Sequence, residues 1–420
     1  MHVQPKTNSN AAPRVNAVRT AGAALFLLTA LNLFNFIDRY ILPGVQPLVQ
    51  SEFHVNDAQI GFLTTVFFFT YMIAAPFTGW LGDRFPRKPL IIAGALLWSA
   101  ATLFTAWVHS YETLLIRHAL VGVGEATFSI FAPALLADFY PERDRNRILS
   151  IFYATIPVGG ALGYLCGGVL GQHYGWRMPF FIAALPGVLI ALGFWFFVRE
   201  PQRGSADKLA PTLNRATLHG LLHNPGFWSA TLGLAMWTFA VGGISTFLPT
   251  YFVRVAHMSV AKAGTVTGAL TVVDGLLGTI VGGWLGQIWL RRNSRALYLI
   301  SAWGSILAIP FAAAVFFGPS SIFLPAAFLA EFFLFLNTGP LNTAIVNSVA
   351  APIRATAISV NLFVIHALGD AFSPTLIGRI SDATNLRIGL GVTLVTLTIS
   401  GIILFNGARF APLLSKPSNP

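Results

Sequence analysis

The sequence predicts an all-α membrane protein whose helices form two six-helix bundles. Three observations support this prediction: the composition, twelve long apolar runs, and a short sequence repeated between the two halves. Of the 420 residues, 55% are hydrophobic and only 10% are charged, and the mean hydropathy is +0.68. Because soluble proteins carry about 25% charged residues, this composition excludes a soluble enzyme, a secreted disulfide scaffold and a nucleic-acid-binding domain.

Each apolar run is close to the ~20 residues that a helix needs to cross ~30 Å of hydrocarbon. The first six predicted spans are at about 21–43, 58–81, 88–107, 111–137, 147–171 and 177–198. The other six are at about 226–252, 261–290, 295–317, 321–347, 355–378 and 388–411. The predicted organisation is an N-terminus 1–20, a first bundle 21–198, a linker 199–225, a second bundle 226–411 and a C-terminus 412–420.

The basic residues indicate how the spans are oriented. Of the 26 lysines and arginines, 19 fall in the termini and in the loops on the side of the termini, whereas five fall in the opposite loops. Because loops rich in Lys and Arg remain in the cytoplasm, both termini and the linker are predicted to be cytoplasmic. The first apolar run has no cleavage signal, so we expect the first span to remain in the mature protein. Cys166 is the single cysteine and is expected to be a packing residue.

A repeated tetrapeptide marks equivalent positions in the two halves. Gly79–Gly82 (GWLG), at the end of span 2, recurs as Gly283–Gly286 at the end of span 8. Residues 79–88 (GWLGDRFPRK) resemble the signature G-x-L-x-D-R-x-G-R-K of the major facilitator superfamily, with Pro86 in place of the second glycine. The resemblance implies two bundles related by a pseudo-two-fold axis, which rock about a substrate near the membrane midplane.

The same motif provides candidates for a cytoplasmic gate. Its carboxylate can meet the positive N-terminus of a helix from the other half, and its arginines can pair with acids of a neighbouring loop. The alternative is that these charges only set the topology. The predicted gate residues, which are not expected to bind substrate, are Asp83, Arg84 and Arg87.

Seven charged residues fall well inside the spans, where each costs about 2.5–3.5 kcal/mol at a helix centre. They are Asp38, Arg39, Arg117, Glu125, Asp274, Glu331 and Asp370. The densest set places Asp38 and Arg39 in span 1 and Arg117 and Glu125 in span 4. Protonating Asp38 or Glu125 would release an arginine for an anionic substrate, so these four residues are candidates for coupling protons to transport. The alternative is a static cluster of salt bridges.

The second half contains a further group of polar residues that could line a cavity. His366 and Asp370 are spaced i,i+4 and so share a helix face; the histidine is either proton-sensitive or simply packed and hydrogen-bonded. Asparagines around Pro340 interrupt an apolar helix, and Asp274 has no obvious partner in sequence. The possible cavity residues of the second half are His366, Asp370, Glu331, Asn337 and Asn342.

The sequence lacks the motifs of catalysis and of nucleotide or metal binding. It contains no H-E-x-x-H, no G-x-S-x-G and no phosphate-binding G-x-x-x-x-G-K-[ST]. Its longest loop, the linker, is about 27 residues, which leaves little room for a catalytic domain. We therefore expect no enzyme activity, no cofactor, no metal site and no ATP-driven transport.

Several stretches spread over most of the chain resemble the spinster family of the major facilitator superfamily. They are Asn35–Tyr40 (NFIDRY), Arg117 with Gly122–Ala126 (GVGEA), Phe152–Gly159 (FYATIPVG), Val198–Gly204 (VREPQRG) and His366–Pro374 (HALGDAFSP). The D-R and G-E-A elements also occur in anion:cation symporters of the superfamily, whereas the last two stretches look more like spinster. The resemblance implies that Asp38, Arg39, Arg117 and Glu125 carry the coupling. It also implies an amphiphilic substrate with an anionic or zwitterionic head.

The expected function is proton-coupled secondary active transport, by alternating access, of an amphiphilic organic anion or a lysolipid- or sphingolipid-like substrate. The alternatives are an organic-acid/proton symporter or a drug/proton antiporter of the same superfamily and, from other classes, a membrane enzyme, a channel or a receptor. We expect a monomer in the lipid bilayer, with protons and a small substrate as partners and no nucleic acid. The short termini and loops are typical of bacterial proteins, which predicts the cytoplasmic (inner) membrane.

Overall fold

The computed structural model describes residues 11–201, 220–349 and 354–411, and every regular element within them is helical. The first half comprises α1 (Ala11–Phe53), α2 (Asp57–Arg84), α3 (Arg87–Phe104), α4 (Tyr111–Phe139), α5a (Glu142–Tyr153), α5b (Thr155–Tyr174) and α6 (Met178–Phe197). The second half comprises α7 (Pro225–Arg254), α8 (Val260–Leu290), α9 (Ala296–Phe317), α10a (Phe323–Phe335), α10b (Thr338–Asn347), α11a (Arg354–Ile365), α11b (Ser373–Ala383) and α12 (Leu386–Gly407). Within this part of the chain, twelve helical stretches are long and apolar enough to cross a membrane, which confirms the predicted number of spans.

Two spans are longer than the sequence predicts. The first span was expected to end near residue 43, but α1 continues through Pro43 and Pro47 to Phe53. A membrane helix can continue past proline when neighbouring groups satisfy the freed backbone, and here Gly44 packs directly against the backbone of α5b. Span 11, expected to end near residue 378, continues to Ala383. Both extensions lie at the same end of the molecule and place polar side chains there.

The starts of several helices are fixed by the side chain just before them. The Asn56 carboxamide oxygen accepts a hydrogen bond from the Gln59 backbone N–H (2.9 Å), and the Gln59 side chain accepts one from the Asn56 N–H (3.0 Å). This reciprocal arrangement satisfies two backbone donors that a helix start leaves free. Ser110, Asn224 and Asn385 cap α4, α7 and α12 in a similar way. These caps fix where the helices begin.

The most extensive contacts between the halves are those of α2 with α11b and of α5b with α8. The contact between α5b and α8 depends on small residues, because a Cβ added at Gly168 would meet the Cα of Gly264 at 2.9 Å. Glycines at such a contact let two membrane helices approach closely. Gly168 therefore serves the packing between the halves, whereas Gly159, Gly163 and Gly167 of the same helix pack against α1 within the first half.

The halves are held together at one end of the molecule. We call the end that carries the start of α1 and the end of α12 the near end, and the opposite end the far end. The Ala261 backbone N–H donates to the Gln172 side chain (2.8 Å), and Thr65 bonds to the Ala371 carbonyl and the Thr375 hydroxyl at 2.5 and 2.7 Å. The hydrogen bonds that join described residues of the two halves lie at the far end or near mid-membrane.

Candidate functional site

A central cavity of about 270 Å³ lies between the two halves near mid-membrane. Its first-half wall comes from α1, α2 and α4 and carries the charged side chains Asp38, Arg39 and Arg117. Its second-half wall comes from α7 and from the break in α11, where Asp370 faces the cavity and Trp237 adds an aromatic surface. The cavity therefore places charged groups and aromatic rings close together.

One buried ion pair connects α1 to α4. An Arg117 Nη2 donates to Asp38 Oδ1 (2.8 Å) and to the Thr102 hydroxyl oxygen (3.0 Å), and that hydroxyl donates to Asp38 Oδ2 (2.5 Å). Asp38 and Arg117 are 3% and 2% exposed, and the guanidinium also lies 4.8 Å from the ring centre of Phe180. Three helices thus contribute to one buried network, α1 through Asp38, α3 through Thr102 and α4 through Arg117. Removal of either charge would leave the other buried and unpaired.

A second buried ion pair lies on the next residue of α1. The Arg39 Nε donates to Glu125 Oε2 at 3.0 Å, and an Nη of Arg39 makes a second contact with the same oxygen. Glu125 is fully buried, and its Oε1 has no hydrogen-bond partner within the described part of the chain. The Arg39 guanidinium lies 4.8 and 5.0 Å from the ring centres of Phe36 and Phe67. A carboxylate with one free oxygen and one cation is suited to accept a proton and release that cation.

His366 and Asp370 form a third polar pair, on the opposite wall. The Nδ1 of His366 lies 2.9 and 3.1 Å from the two carboxylate oxygens of Asp370. The predicted pairing is present, but the helix is not a regular α-helix there, because residues 366–370 form a π-helical turn with Gly369 at φ −104° and ψ −107°. π-Turns within membrane helices often accompany functional sites.

Aromatic rings connect the second-half pair to the first half. The His366 ring stacks on Phe68 with centres 5.1 Å apart, and it contacts Tyr71 edge-on at 5.9 Å. Phe68 in turn lies 6.0 Å from the Arg39 guanidinium. The three polar pairs therefore surround one cavity, although their members are far apart in sequence.

The remaining second-half candidates lie outside the lining of the central cavity. Glu331 borders two smaller cavities between the second-half helices and the halves' interface. Asn337 is fully buried in the break between α10a and α10b, whereas Asn342 is exposed and donates to the Thr338 carbonyl (2.8 Å). Among the described residues, no three His, Cys, Asp or Glu side chains lie close enough together to hold a metal ion.

The near-end motif makes contacts within the first half. The guanidinium of Arg84 stacks on Trp80 at 4.0 Å, and that of Arg87 pairs with Asp138 at the end of α4. Asp83 lies in the last turn of α2, but its side chain is outside the described residues. Glu200 was not anticipated: its carboxylate accepts from the backbone N–H groups that start α3, that of Arg87 at 2.6 Å and that of Lys88 at 3.1 Å. A carboxylate at a helix N-terminus is stabilised by the helix dipole.

A polar cluster at the far end joins the halves. The carboxylate of Asp57, which is 4% exposed, accepts from Gln50 Nε2 (2.7 Å), from Arg254 Nη1 (2.8 Å) and from the Ser381 hydroxyl (2.6 Å). Arg254 also donates to the Gln50 carboxamide oxygen at 2.8 Å. These residues come from α1, α2, α7 and α11b, so the cluster spans both halves. We call it the far-end latch.

Asp382 completes the far-end latch from the second half. Its two carboxylate oxygens accept from the backbone N–H groups of Asp57 and Ala58, both at 2.9 Å. The carboxylate thereby caps the N-terminus of a helix in the other half, an arrangement that the helix dipole favours. Sequence reasoning missed this latch because its hydrogen-bonded partners are up to 325 residues apart. The one available signal was a pair of acids just outside the predicted span ends, Asp57 before span 2 and Asp382 after span 11.

Comparisons with known proteins agree with this geometry. Residues 28–374 match the family model described as Major Facilitator Superfamily. The chain is 34% identical over 384 residues to the sphingosine-1-phosphate transporter SPNS2 of Xenopus tropicalis, covering 87% of this chain and 75% of the relative. It is 32% identical over 395 residues to protein spinster homolog 1 of Homo sapiens, covering 88% and 75% respectively.

A solved structure has a similar architecture. It is the crystal structure of a bacterial homolog of the human lysosomal transporter Spinster, in an inward-facing and unoccupied conformation. The TM-score is 0.85 at 25% sequence identity, and the match covers 93% of this chain and 98% of that chain. Contacts between the halves at the far end of our structure are consistent with a cavity that is closed on that side.

Proposed function

Because the chain belongs to the spinster family of the major facilitator superfamily, we propose that it is a proton-coupled secondary active transporter of an amphiphilic organic anion. Its spinster relatives are transporters and not enzymes, so the predicted function class is confirmed. Proton coupling and the substrate class go further than these comparisons, and the charges and lining of the central cavity support both.

The observation that carries the proposal is the buried pair of Arg39 and Glu125 beside the cavity. An ionised carboxylate in such a site is stabilised mainly by its cation. When Glu125 takes up a proton, it no longer holds Arg39, whose guanidinium also borders the cavity. An anionic headgroup can then take the place of the carboxylate. Proton binding and substrate binding are thereby linked through one arginine.

Asp38 and Arg117 position this exchange. Their network with Thr102 is buried and joins α1, α3 and α4, so we propose that it fixes the segment of α1 that carries Arg39. Arg117 also lines the cavity and supplies a second positive charge to an incoming anion. We propose that Asp38 balances that charge while the cavity is empty, in the way that Glu125 balances Arg39.

The cavity's shape favours an amphiphile. Its two arginines share the first-half wall with Phe67 and Phe68, and Trp237 provides apolar surface on the opposite wall. A headgroup phosphate or carboxylate can pair with the arginines, and an attached hydrocarbon can lie along these aromatic rings. A relative is named as a sphingosine-1-phosphate transporter, and we propose a lysolipid- or sphingolipid-like substrate for this chain. Organic-acid symport and drug antiport with protons are the alternatives within the superfamily.

The movement that carries the substrate across the membrane is alternating access, in which the two halves rock about the central site. In the conformation described here the far-end latch is closed, and transport requires it to break as the near end closes. We propose that Arg84, Arg87 and Asp83 act in closing the near end, since Arg87 is anchored to α4 through Asp138. Second-half residues His366 and Asp370 face or adjoin the cavity and are proposed to respond to the substrate there.

We also propose that the protein is a monomer in a bacterial inner membrane with its near end in the cytoplasm. The distribution of Lys and Arg supports this orientation. A cysteine placed at the exposed far-end residue Tyr174, in a Cys166→Ser background, should react with a membrane-impermeant maleimide added outside intact cells. Reaction only after the cells are broken would contradict this orientation, because it would place the far end inside the cell.

Transport in proteoliposomes tests the function. Purified protein would be given an imposed pH gradient and a panel of lysophospholipids, sphingoid phosphates, organic acids and cationic drugs. We expect saturable, gradient-driven movement of a lysolipid or sphingoid phosphate by the wild type and loss of its pH dependence in Glu125→Gln. Glu112→Gln is the matched control, because Glu112 starts the same helix but is exposed. It should transport like the wild type.

Each other outcome has a definite meaning. Movement of small acids or drugs alone would remove the lipid assignment and leave proton coupling intact. Wild-type transport without any dependence on the pH gradient would contradict the proposal of proton coupling. If Glu125→Gln loses folded protein, measured by size-exclusion chromatography, as much as it loses transport, the ion pairs are a static structural cluster instead.

A further inference from the structure

Two buried acids of the second half have no role in the mechanism above. Asp274 on α8 is fully buried, and neither of its carboxylate oxygens has a hydrogen-bond partner among the described residues. Glu331 on α10a is also buried and borders two small cavities. A charged carboxylate in such surroundings is strongly disfavoured unless a cation compensates it. Each of these acids therefore needs either a compensating positive charge or a bound proton.

The two acids belong to one packing contact. A Cβ at Gly278 would meet the Phe332 carbonyl oxygen at 2.5 Å, and one at Gly275 would lie 3.8 Å from the Phe335 ring. Asp274 and Glu331 are the immediate sequence neighbours of these contact residues, and they lie close enough to interact electrostatically. Two carboxylates that share a site do not readily ionise together, because each charge opposes the other.

The cavity beside Glu331 has further polar groups without partners. Its volume is about 50 Å³, and Thr267 and Thr271 of α8 line it together with Glu331. Thr267 is 1% exposed, and its hydroxyl oxygen has no partner within the described residues. Thr267, Thr271 and Asp274 follow the i, i+4, i+7 spacing of one helix face. That face therefore presents unsatisfied polar groups toward the region of Glu331.

The two cavities that Glu331 borders are lined by no basic side chain of the described residues. The other titratable groups there are Tyr40 from α1 and Tyr164 from α5b, and the residues that α7 and α9 contribute are apolar or carry hydroxyls. No Lys, Arg or His of the described chain lines either cavity. A bound proton or a small cation is then left to compensate the charge of Glu331.

We infer that Asp274 and Glu331 form a second proton-binding site, in which the pair holds at least one proton while the far end is closed. The site adjoins the contact between the halves: Tyr164 donates to the Ser245 carbonyl across it (2.7 Å), and Tyr164 packs against Tyr40 at 5.1 Å. When the halves move apart there, water reaches Glu331, and the O–H proton can pass to it and back. The site's role in coupling rests on the proposed function, but the bound proton does not.

Infrared spectroscopy tests for the proton directly. Difference spectra between acidic and alkaline buffer would be recorded on protein in liposomes, because a protonated buried carboxyl has its own C=O stretching band. We expect a band that titrates in the wild type and persists in Glu112→Gln and Glu125→Gln, apart from the contribution of Glu125. The part of the band that does not depend on Glu125 should be lost in the double variant Asp274→Asn/Glu331→Gln. These amide replacements resemble the protonated acids in shape, so we expect folding to be retained.

The same variants separate this inference from the proposed function. If the double variant does not fold, each single variant should still lower the band's amplitude. An unchanged band in folded double or single variants would overturn the site, and a band that responds to sodium rather than to pH would replace the proton by a metal cation. If transport couples to protons, Glu331→Gln should lower the number of protons moved per substrate by one, measured from the pH gradient that stops net flux. Absence of proton coupling in the wild type, with the band present, would remove the proposed coupling but keep the site.

Discussion

Replacing Arg254 by glutamine should weaken the far-end latch without abolishing it. The change removes a charge-assisted hydrogen bond to Asp57 (2.8 Å) and a second bond to Gln50 (2.8 Å). Asp57 keeps its bond from Ser381, and Asp382 still caps α2. The change therefore isolates the contribution of one cation to the closed state.

The expected magnitude follows from the burial of the pair. An exposed ion pair contributes about 0.2–1 kcal/mol, and a hydrogen bond to a charged group about 1.5–3 kcal/mol. The Arg254 side chain is 40% exposed and that of Asp57 is 4% exposed, so the contribution should lie between these limits, at about 1–2 kcal/mol. Since ~1.4 kcal/mol is a factor of ten, the ratio of far-end-open to far-end-closed molecules should rise roughly 5- to 30-fold.

Distances between spin labels measure this ratio. Cysteines at Tyr174 and Thr384, both exposed at the far end on opposite halves, would be labelled in a Cys166→Ser background. We expect a longer-distance population that grows in Arg254→Gln. Arg379→Gln is the matched control: it removes the same charge at the same end, and Arg379 is exposed on α11b without an ion pair to any described residue. An unchanged distance distribution, or an equal change in the control, would refute the latch.

Two further changes test the packing around the site. Thr102→Val removes the hydroxyl that joins Asp38 to Arg117, so the free energy of unfolding should fall by about 1–3 kcal/mol, which chemical unfolding in detergent measures; no loss would show that the hydroxyl is unimportant to the pair. Gly264→Leu places a side chain where even a Cβ would lie 2.4 Å from an α5b carbonyl oxygen, so the same spin-label pair should report a far-end-open majority. Retention of the closed distances would show that the helices can separate locally.

The membrane helices could be predicted because the bilayer sets both their length and their composition. The same logic identified the buried charges, since a charge inside a span is costly whatever it contacts. It did not identify which of the buried charged residues pair with each other. Asp38 and Arg39 are adjacent, yet they bond to two different residues of α4, because successive positions on a helix point ~100° apart. Only the packing of α1 on α4 decides that Arg117 goes to one and Glu125 to the other.

The sequence pattern also failed to predict features that depend on whether a helix is interrupted. Prolines in α1 indicate an end, but the helix continues because α5b packs closely against it. In α11 the predicted i,i+4 pair is present on a π-turn, which periodicity does not reveal. The far-end latch required both extensions, since Gln50 lies after the predicted end of span 1 and Ser381 after that of span 11. Errors at helix ends thus concealed a cluster that joins the halves.

The charges of the two halves differ in a way that assigns them different tasks. In the first half each buried acid has its own arginine, so an anion from outside can compete for a cation that is already present. In the second half Asp274 and Glu331 have no cation to exchange, so an anionic substrate gains nothing from approaching them and a proton is the natural ligand. Tyr40 borders both the central cavity and the cavity of Glu331. A change of charge at Glu331 is therefore felt one residue away from Arg39, where the substrate's headgroup is proposed to bind.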